Sequence, residues 1–320
     1  MKVLITGATG LVGSELVSQC HEKGYDVNYL TTSKKKIVSE LNYQGYFWNP
    51  TTAEIDKNCL DGVSVIINLA GSSISNRWTK EYRQEIIDSR VNSLELLKST
   101  LHKTENHSVN SIVSASAIGI YPNSLSDYYT EEEPKVDNSF LGEVVDVWEN
   151  KIDEFESLGL KVAKVRIGLV LSNDGGALPE IAKPVNYYAG AAFGSGEQWQ
   201  SWIHISDLAG IFLHIASYKL EGVYNGVAPN PVTNIKLVKE IAKVLNKPLF
   251  LPNIPKIVMH TILGDMAYIL FASQRVSSKK IEEEGFIFHY ANICQALGDI
   301  YESDNKCVDS KTKITKEYVS

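Results

Sequence analysis

Two periods organise the hydrophobic and polar positions of this chain. Short apolar runs rich in β-branched residues read as buried strands, and longer stretches with apolar residues three or four apart read as amphipathic helices. Val3-Leu4-Ile5-Thr6 is the first such run, and it passes without a spacer into Gly7-Ala8-Thr9-Gly10-Leu11-Val12-Gly13. Helical spacing begins at once, with Val12, Leu16 and Cys20 marking one face. Further strands are predicted at Val27-Asn28-Tyr29-Leu30, at Tyr46-Phe47-Trp48, over residues 63–71, at Ser111-Ile112-Val113-Ser114 and over 161–167. Between them, residues 79–101 read as a long helix with Ile87, Val91, Leu94 and Leu101 as its buried stripe, and residues 140–158 as another. Strands alternating with helices call for an α/β fold built on a doubly wound parallel (Rossmann) sheet with right-handed crossovers.

The pattern loosens after about residue 172. Shorter segments follow: 199–205, a helix after Asp207, 222–227, and a helix capped by Thr233 or Asn234. The expected organisation is a Rossmann domain over 1–172, interdigitating with a smaller mixed α/β C-terminal domain over 173–302 that closes the substrate cleft. A polar, non-periodic stretch over 303–320 reads as a flexible tail. Residues 254–272 are strongly apolar but contain Pro255, His260 and Asp265, which fits an amphipathic helix better than a membrane span.

The strand-to-helix turn carries the first chemistry. Glycines spaced as Gly7-x-x-Gly10-x-x-Gly13 let backbone approach a pyrophosphate, and the helix that follows offers free N–H groups and partial positive charge. Thr9, Leu11 and Val12 complete that turn. The end of the second strand is where a dinucleotide site reads its ribose, and an Asp or Glu there would select NAD. Thr31, Thr32, Ser33 and Lys34 stand there instead, followed by Lys35 and Lys36, which suits the 2′-phosphate of NADP and makes NAD the weaker fit; a solvated lysine loop is the plain alternative. Asn68-Leu69-Ala70-Gly71 ends another strand at the edge where ligands of open α/β sheets collect. On the long helix, Arg90 either reaches a phosphate or pairs with Glu85.

Composition narrows the partners. The chain has 320 residues, and 31 basic against 38 acidic side chains give a net charge of −7, which does not favour nucleic acid. Met1-Lys2 leads straight into the first strand, leaving no room for a signal peptide, so a cytoplasmic protein with no membrane association is expected. Cys20, Cys59, Cys294 and Cys307 lack metal or redox spacing and read as free thiols; the histidines show no metal-ligand spacing either, so no metal is expected.

Taken together, these motifs resemble the extended short-chain dehydrogenase/reductase superfamily, and within it the atypical epimerase-like group with a small C-terminal domain of unknown function. The resemblance rests on the glycine turn, Asn68-Leu69-Ala70-Gly71, Arg77-Trp78, Ser89-Arg90, Ser114-Ala115-Ser116-Ala117 and Trp148-Glu149. Gly194-Ser195-Gly196, residues 201–207 and residues 225–232 extend it to about residue 300. It implies that the glycine turn, Thr31 to Lys34, Leu69-Ala70, Glu85, Arg90 and the end of the sixth strand near Val170 surround NADP.

The usual catalytic pair of that superfamily, Tyr-x-x-x-Lys, is missing: none of the 16 tyrosines has a lysine four residues on. At the usual distance after Ser116 stand Phe140 or Leu141 and Val144 or Val145, which transfer no proton. Ser114 and Ser116 are where the superfamily keeps a substrate-polarising hydroxyl, and Tyr121 is a phenol near the expected cleft, so Ser116 and Tyr121 are the catalytic candidates. His204 reads as structural support hydrogen-bonded to Asp207. The expected function is that of an NADP(H)-binding, epimerase-like oxidoreductase acting on an unknown small molecule as a monomer or homodimer. Two alternatives stand beside it. One is an NADP-binding regulatory or redox-sensing protein without turnover; the other is a nucleotide-sugar epimerase or dehydratase, disfavoured because Gln198 and Gln200, not arginine, approach Trp202.

Overall fold

The computed structural model describes residues 1–302, and the expected tail over 303–320 lies outside the described residues. In chain order the first half is β1 (Lys2–Thr6), α1 (Leu11–Glu22), β2 (Asp26–Thr31), β3 (Tyr43–Asn49), β4 (Val65–Asn68) and α2 (Lys80–Lys103). β5 (Ser111–Ala117), α3 (Phe140–Asp153) and β6 (Lys161–Ile167) complete it. The helices begin where sequence chemistry starts them: Thr79 caps α2 by accepting from the Tyr82 N–H, and Ser139 caps α3 by accepting from Gly142. After α3 the chain tightens into a 3₁₀ turn, Glu154–Leu158, and reverses at Gly159 with φ of 73°, so the single helix expected over 140–158 is two pieces.

Past residue 172 the chain leaves the sheet and comes back. After β7 (Leu169–Leu171) and α4 (Ala177–Asn186), β8 (Trp202–His204) leads into α5 (Ile205–Tyr218) and β9 (Gly222–Gly226). β9 pairs in parallel with β6, so the central sheet runs β9-β6-β5-β4-β1-β2-β3, with short antiparallel strands on the β3 edge. α5 is apolar on its inner side, burying Leu208, Ile211, Phe212 and Ile215 in the main core beside Leu16 and Cys20 of α1.

Several faces differ from the sequence pattern. On α2 the buried residues include Ile86, Arg90, Leu94, Leu97 and Leu101, whereas Ile87 and Val91 are only half-buried. The buried face keeps Leu94 and Leu101 of the expected stripe but takes Ile86 and Arg90 in place of Ile87 and Val91, which turns Arg90 inward. Residues 254–272 form three short pieces, α6 (Asn234–Val244) being followed by α7 (Lys256–Leu263), a 3₁₀ turn Gly264–Ala267 and α8 (Tyr268–Phe271). Gly264, with φ of 61°, breaks the expected helix. α7 buries nothing, and Ile257 and Ile262 are 75% and 61% exposed. A second core gathers Leu171, Leu178, Trp202, Leu237, Ile241 and Leu297. Among the described residues, no helix is long and apolar enough to cross a membrane. Cys20 and Cys59 are buried free thiols, but Cys294 is disulfide-bonded, which corrects its reading as a free thiol; Cys307 lies outside the described residues.

Candidate functional site

The glycine turn divides into two roles. A Cβ on Gly13 would stand 2.1 Å from the Gly7 carbonyl oxygen and 2.7 Å from the Ala8 Cα, so glycine here lets α1 seat on β1. Gly7 has φ of 73° and backs onto Leu69, whose oxygen a Cβ would meet at 3.0 Å. Gly10 is different. A Cβ there would touch only the Gly7 oxygen, at 3.2 Å, and Gly10 lies exposed at the helix entrance, so the packing leaves its outer face open. Thr9 is exposed beside it, while Leu11 and Val12 are half-buried, Leu11 lying against Gly175 and Gly176.

At the end of β2, Thr31 is buried and its hydroxyl oxygen accepts from the Ser33 N–H at 3.2 Å. Thr32 and Lys34 are exposed and Ser33 is half-buried. The Lys34 ammonium stands 4.8 Å over the Phe47 ring and forms no ion pair among the described residues. The loop therefore presents hydroxyls and cationic charge with no carboxylate at its tip.

A buried chain of hydrogen bonds shapes the third turn. The Thr6 hydroxyl donates to Asn68 Oδ1 at 2.7 Å, and Asn68 Nδ2 donates to the Ser114 hydroxyl oxygen at 2.9 Å. The Thr6 oxygen also accepts from the Leu69 and Ala70 N–H groups, at 3.0 and 3.1 Å. Asn68 and Ser114 thus sit behind the turn and hold Leu69-Ala70 in place; both are fully buried. Arg90 does not pair with Glu85, contrary to one of its two expected roles. Its Nη1 donates to the Ser72 carbonyl at 3.2 Å and to the Ile86 carbonyl at 2.9 Å, while Glu85 is exposed and accepts from the Ser72 hydroxyl. The guanidinium lies 4.7 Å over the Trp148 ring and close beneath Gly71, and Nε has no partner. Burial lowers its pKa to about 10 against a weaker opposing pull from Tyr82, the behaviour of a cation held without a counter-ion.

The two catalytic candidates are not in the cleft. Ser116 is buried and its hydroxyl donates to Glu149 Oε1 at 2.5 Å, and Arg166 grips the same carboxylate through Nε at 2.8 Å and Nη2 at 2.9 Å. The Tyr121 hydroxyl donates to Asn225 Oδ1 at 2.8 Å and accepts from Arg166 Nη1 at 3.0 Å, with the ring stacked on Tyr129. Burial pushes the Tyr121 phenol up to about 12, outweighing the neighbouring Arg166. For Glu149 burial also pushes upward, but Arg166, Ser116 and Lys164 outweigh it and hold the carboxyl below its ordinary range. This cluster pins β5, α3, β6 and β9 to one another. His204 also differs from expectation: its Nδ1 accepts from the Ser206 N–H at 3.2 Å and its ring packs on Tyr290, while Asp207 is taken by His289 and the Tyr290 N–H. Burial lowers the His204 pKa despite Asp299 nearby.

A cleft of about 220 Å³ opens where β5 and β6 end. Its floor is Ala117, Gly119 and Gly168; its walls include Leu141, Val144 and Trp148 of α3 and Trp199, Ile269 and Gln274 from the later segments. Among the described residues, Arg90 is the charged residue of the lining, and no carboxylate, phenol, imidazole or thiol lines it. Val170, half-buried in β7, follows directly on that lining. Arg166 and Asn225 were missed by sequence reasoning, although a charged residue at an inner position of a strand is a signal for a buried partner.

Residues 3–226 match the NAD dependent epimerase/dehydratase family, and residues 254–300 match a domain of unknown function, DUF1731. An epimerase family protein of Staphylococcus aureus is 36% identical over 302 residues, covering 93% of this chain and 98% of the relative. The crystal structure of the human epimerase family protein SDR39U1 with NADPH superposes with a TM-score of 0.81 at 26% identity, over 94% of this chain and 99% of that one. A nucleoside-diphosphate sugar epimerase from Corynebacterium glutamicum gives a TM-score of 0.75 at 29% identity, over 95% of this chain but 59% of the other.

Proposed function

This chain belongs to the NAD dependent epimerase/dehydratase family, with DUF1731 behind it, and from that premise we propose an NADP(H)-dependent oxidoreductase that works without a tuned phenol. The observation that carries the proposal is the join between two sites: the strand ends that floor the cleft belong to the same sheet as the glycine turn, so a dinucleotide laid across the turns ends in the cleft. The residues fit such a cofactor. The open face of Gly10, with Gly7, Thr9, Leu11, Val12 and Gly13 around it, receives the pyrophosphate. Thr31, Thr32, Ser33 and Lys34 receive the 2′-phosphate, which NADH lacks. Leu69, Ala70, Gly71, Glu85, Arg90 and Val170 flank the middle of the cofactor, and the unpaired Nε of Arg90 awaits an acceptor. Bound NADPH supplies a hydride.

The chain's own part is to position and to exclude water. Trp148, Val144 and Leu141 present an apolar wall where the family's usual helix would present a proton donor. General acid–base help of that kind is worth about 10² to 10⁴ in rate. Turnover is therefore slow unless the substrate is intrinsically reactive. The same lack of a proton donor supports a second reading, an NADP-binding regulatory protein without turnover. Single-turnover absorbance of enzyme-bound NADPH separates them when a panel of aldehydes, quinones and sugar nucleotides is added. Oxidation by a reactive carbonyl, unchanged in rate by Ser116→Ala, supports the enzyme. No oxidation by any compound leaves the regulatory reading, and rapid turnover of a sugar nucleotide overturns both.

A further inference from the structure

We infer that the cleft takes a substrate with an apolar body and a single carboxylate, and that Arg275 at the cleft rim holds the carboxylate. This rests on the oxidoreductase reading above and adds the substrate class to it.

The lining argues for the apolar body. The Ile74, Leu141, Val144 and Ile269 side chains offer no hydrogen bond, Ser201, Gln274 and the Trp199 indole are already engaged, and Arg90 Nε and the Trp148 indole N–H are buried donors without a partner among the described residues. The Ser201 hydroxyl donates to the Gln274 carbonyl at 2.8 Å and accepts from the Val276 N–H at 2.9 Å. The Gln274 amide donates to the Tyr121 carbonyl at 2.6 Å. A sugar ring would bring more hydroxyls into this space than those two unpartnered donors can satisfy, and each buried unsatisfied hydroxyl costs about 1 to 3 kcal/mol. Arg90, the charged lining residue, serves the cofactor in this account.

Arg275 supplies the second feature. It is exposed, directly follows the lining residue Gln274, and forms no salt bridge among the described residues. Its guanidinium carbon stands 4.6 Å from the Trp199 ring centroid and 5.1 Å from that of Tyr128. Those rings are fixed in turn. The Trp199 indole N–H donates to the Leu125 carbonyl at 3.1 Å, and Arg275–Val276 pairs in register with Tyr128–Tyr129. Aromatic contacts orient a guanidinium by its face and leave its N–H edge for a planar acceptor, which a carboxylate engages through two parallel bonds. Trp199 also lines the cleft, so the Arg275 guanidinium stands against a ring that the cleft itself presents.

The test is calorimetric titration of the NADP⁺-saturated protein with 2-naphthoate, with the neutral ketone 2-acetonaphthone and with UDP-glucose. The expected order is 2-naphthoate at least about tenfold tighter than the ketone, with UDP-glucose weakest. Arg275→Gln equalises the two naphthyl probes, Arg275→Lys restores part of the preference, and Ile269→Trp weakens both by filling the cleft. NADPH affinity, titrated separately, stays at the wild-type value in both Arg275 variants. Tighter binding of UDP-glucose than of either naphthyl probe overturns the inference. A carboxylate preference that survives Arg275→Gln, or naphthyl binding unaffected by Ile269→Trp, overturns it as well. Failure of the cofactor reading has its own signature, since the wild-type protein would then not bind NADPH.

Discussion

Alanine at Gly10 and alanine at Gly13 are expected to separate binding from folding. At Gly13 the new methyl would lie 2.1 Å from the Gly7 oxygen and 2.7 Å from the Ala8 Cα, both backbone atoms that cannot rotate away. Relief requires α1 to lift off β1 by about an ångström, and overpacking of this kind costs about 1 to 3 kcal/mol or more. A melting temperature several degrees lower follows, at about 2 to 4 °C per kcal/mol for a domain of this class. At Gly10 the methyl would meet only the Gly7 oxygen at 3.2 Å, and its φ of −88° is open to any residue. The fold should lose no more than about 0.5 kcal/mol, as for an ordinary surface change. The same methyl, however, occupies the face across which a pyrophosphate must approach, so NADPH affinity should fall at least about tenfold. Thermal melts paired with fluorescence titration of NADPH read both quantities. A Gly10→Ala protein that binds NADPH normally refutes the assignment of that face, and a Gly13→Ala protein that melts normally refutes the packing argument.

Three further outcomes follow from the buried cluster. Glu149→Gln breaks the Arg166 pair and should destabilise by about 3 to 5 kcal/mol, read by denaturant unfolding. Because the Glu149 carboxyl titrates below its ordinary value of 4.5 in the folded state, its contribution is complete above that pH and is lost as the pH falls through the lower folded value; the wild-type stability profile should therefore bend downward in that acid window, and the variant's profile should bend less. Tyr121→Phe leaves Asn225 Oδ1 and Arg166 Nη1 short of a partner, costing about 1 to 3 kcal/mol with NADPH affinity unchanged; loss of cofactor binding without loss of stability would return Tyr121 to the cleft.

The strand-by-strand order of the first half was legible because its signals are local: apolar runs and glycine punctuation. The glycine turn between β1 and α1 was legible for the same reason, since strand, turn and helix are contiguous in sequence. The face of α2 was not, because Ile86 and Ile87 are both apolar and only tertiary packing chooses between them; that choice carried Arg90 inward and away from Glu85. Ser116 and Tyr121 read as catalytic because they stand beside a strand end. Their partners Glu149, Arg166 and Asn225 come from distant segments, and no spacing in the chain announces that these groups meet. The return of β9 to the central sheet was hidden likewise, its five residues resembling any short strand.

The central claim, that this chain holds NADPH by its 2′-phosphate, is tested most directly by titrating wild-type and Lys34→Glu proteins with NADPH and with NADH. One charge-assisted phosphate contact is worth about 1.5 to 3 kcal/mol, so wild-type protein should bind NADPH roughly tenfold to a hundredfold more tightly, and Lys34→Glu should erase that preference while leaving NADH affinity close to its original value. Equal affinities in the wild-type protein, or a preference that Lys34→Glu leaves intact, would contradict the account.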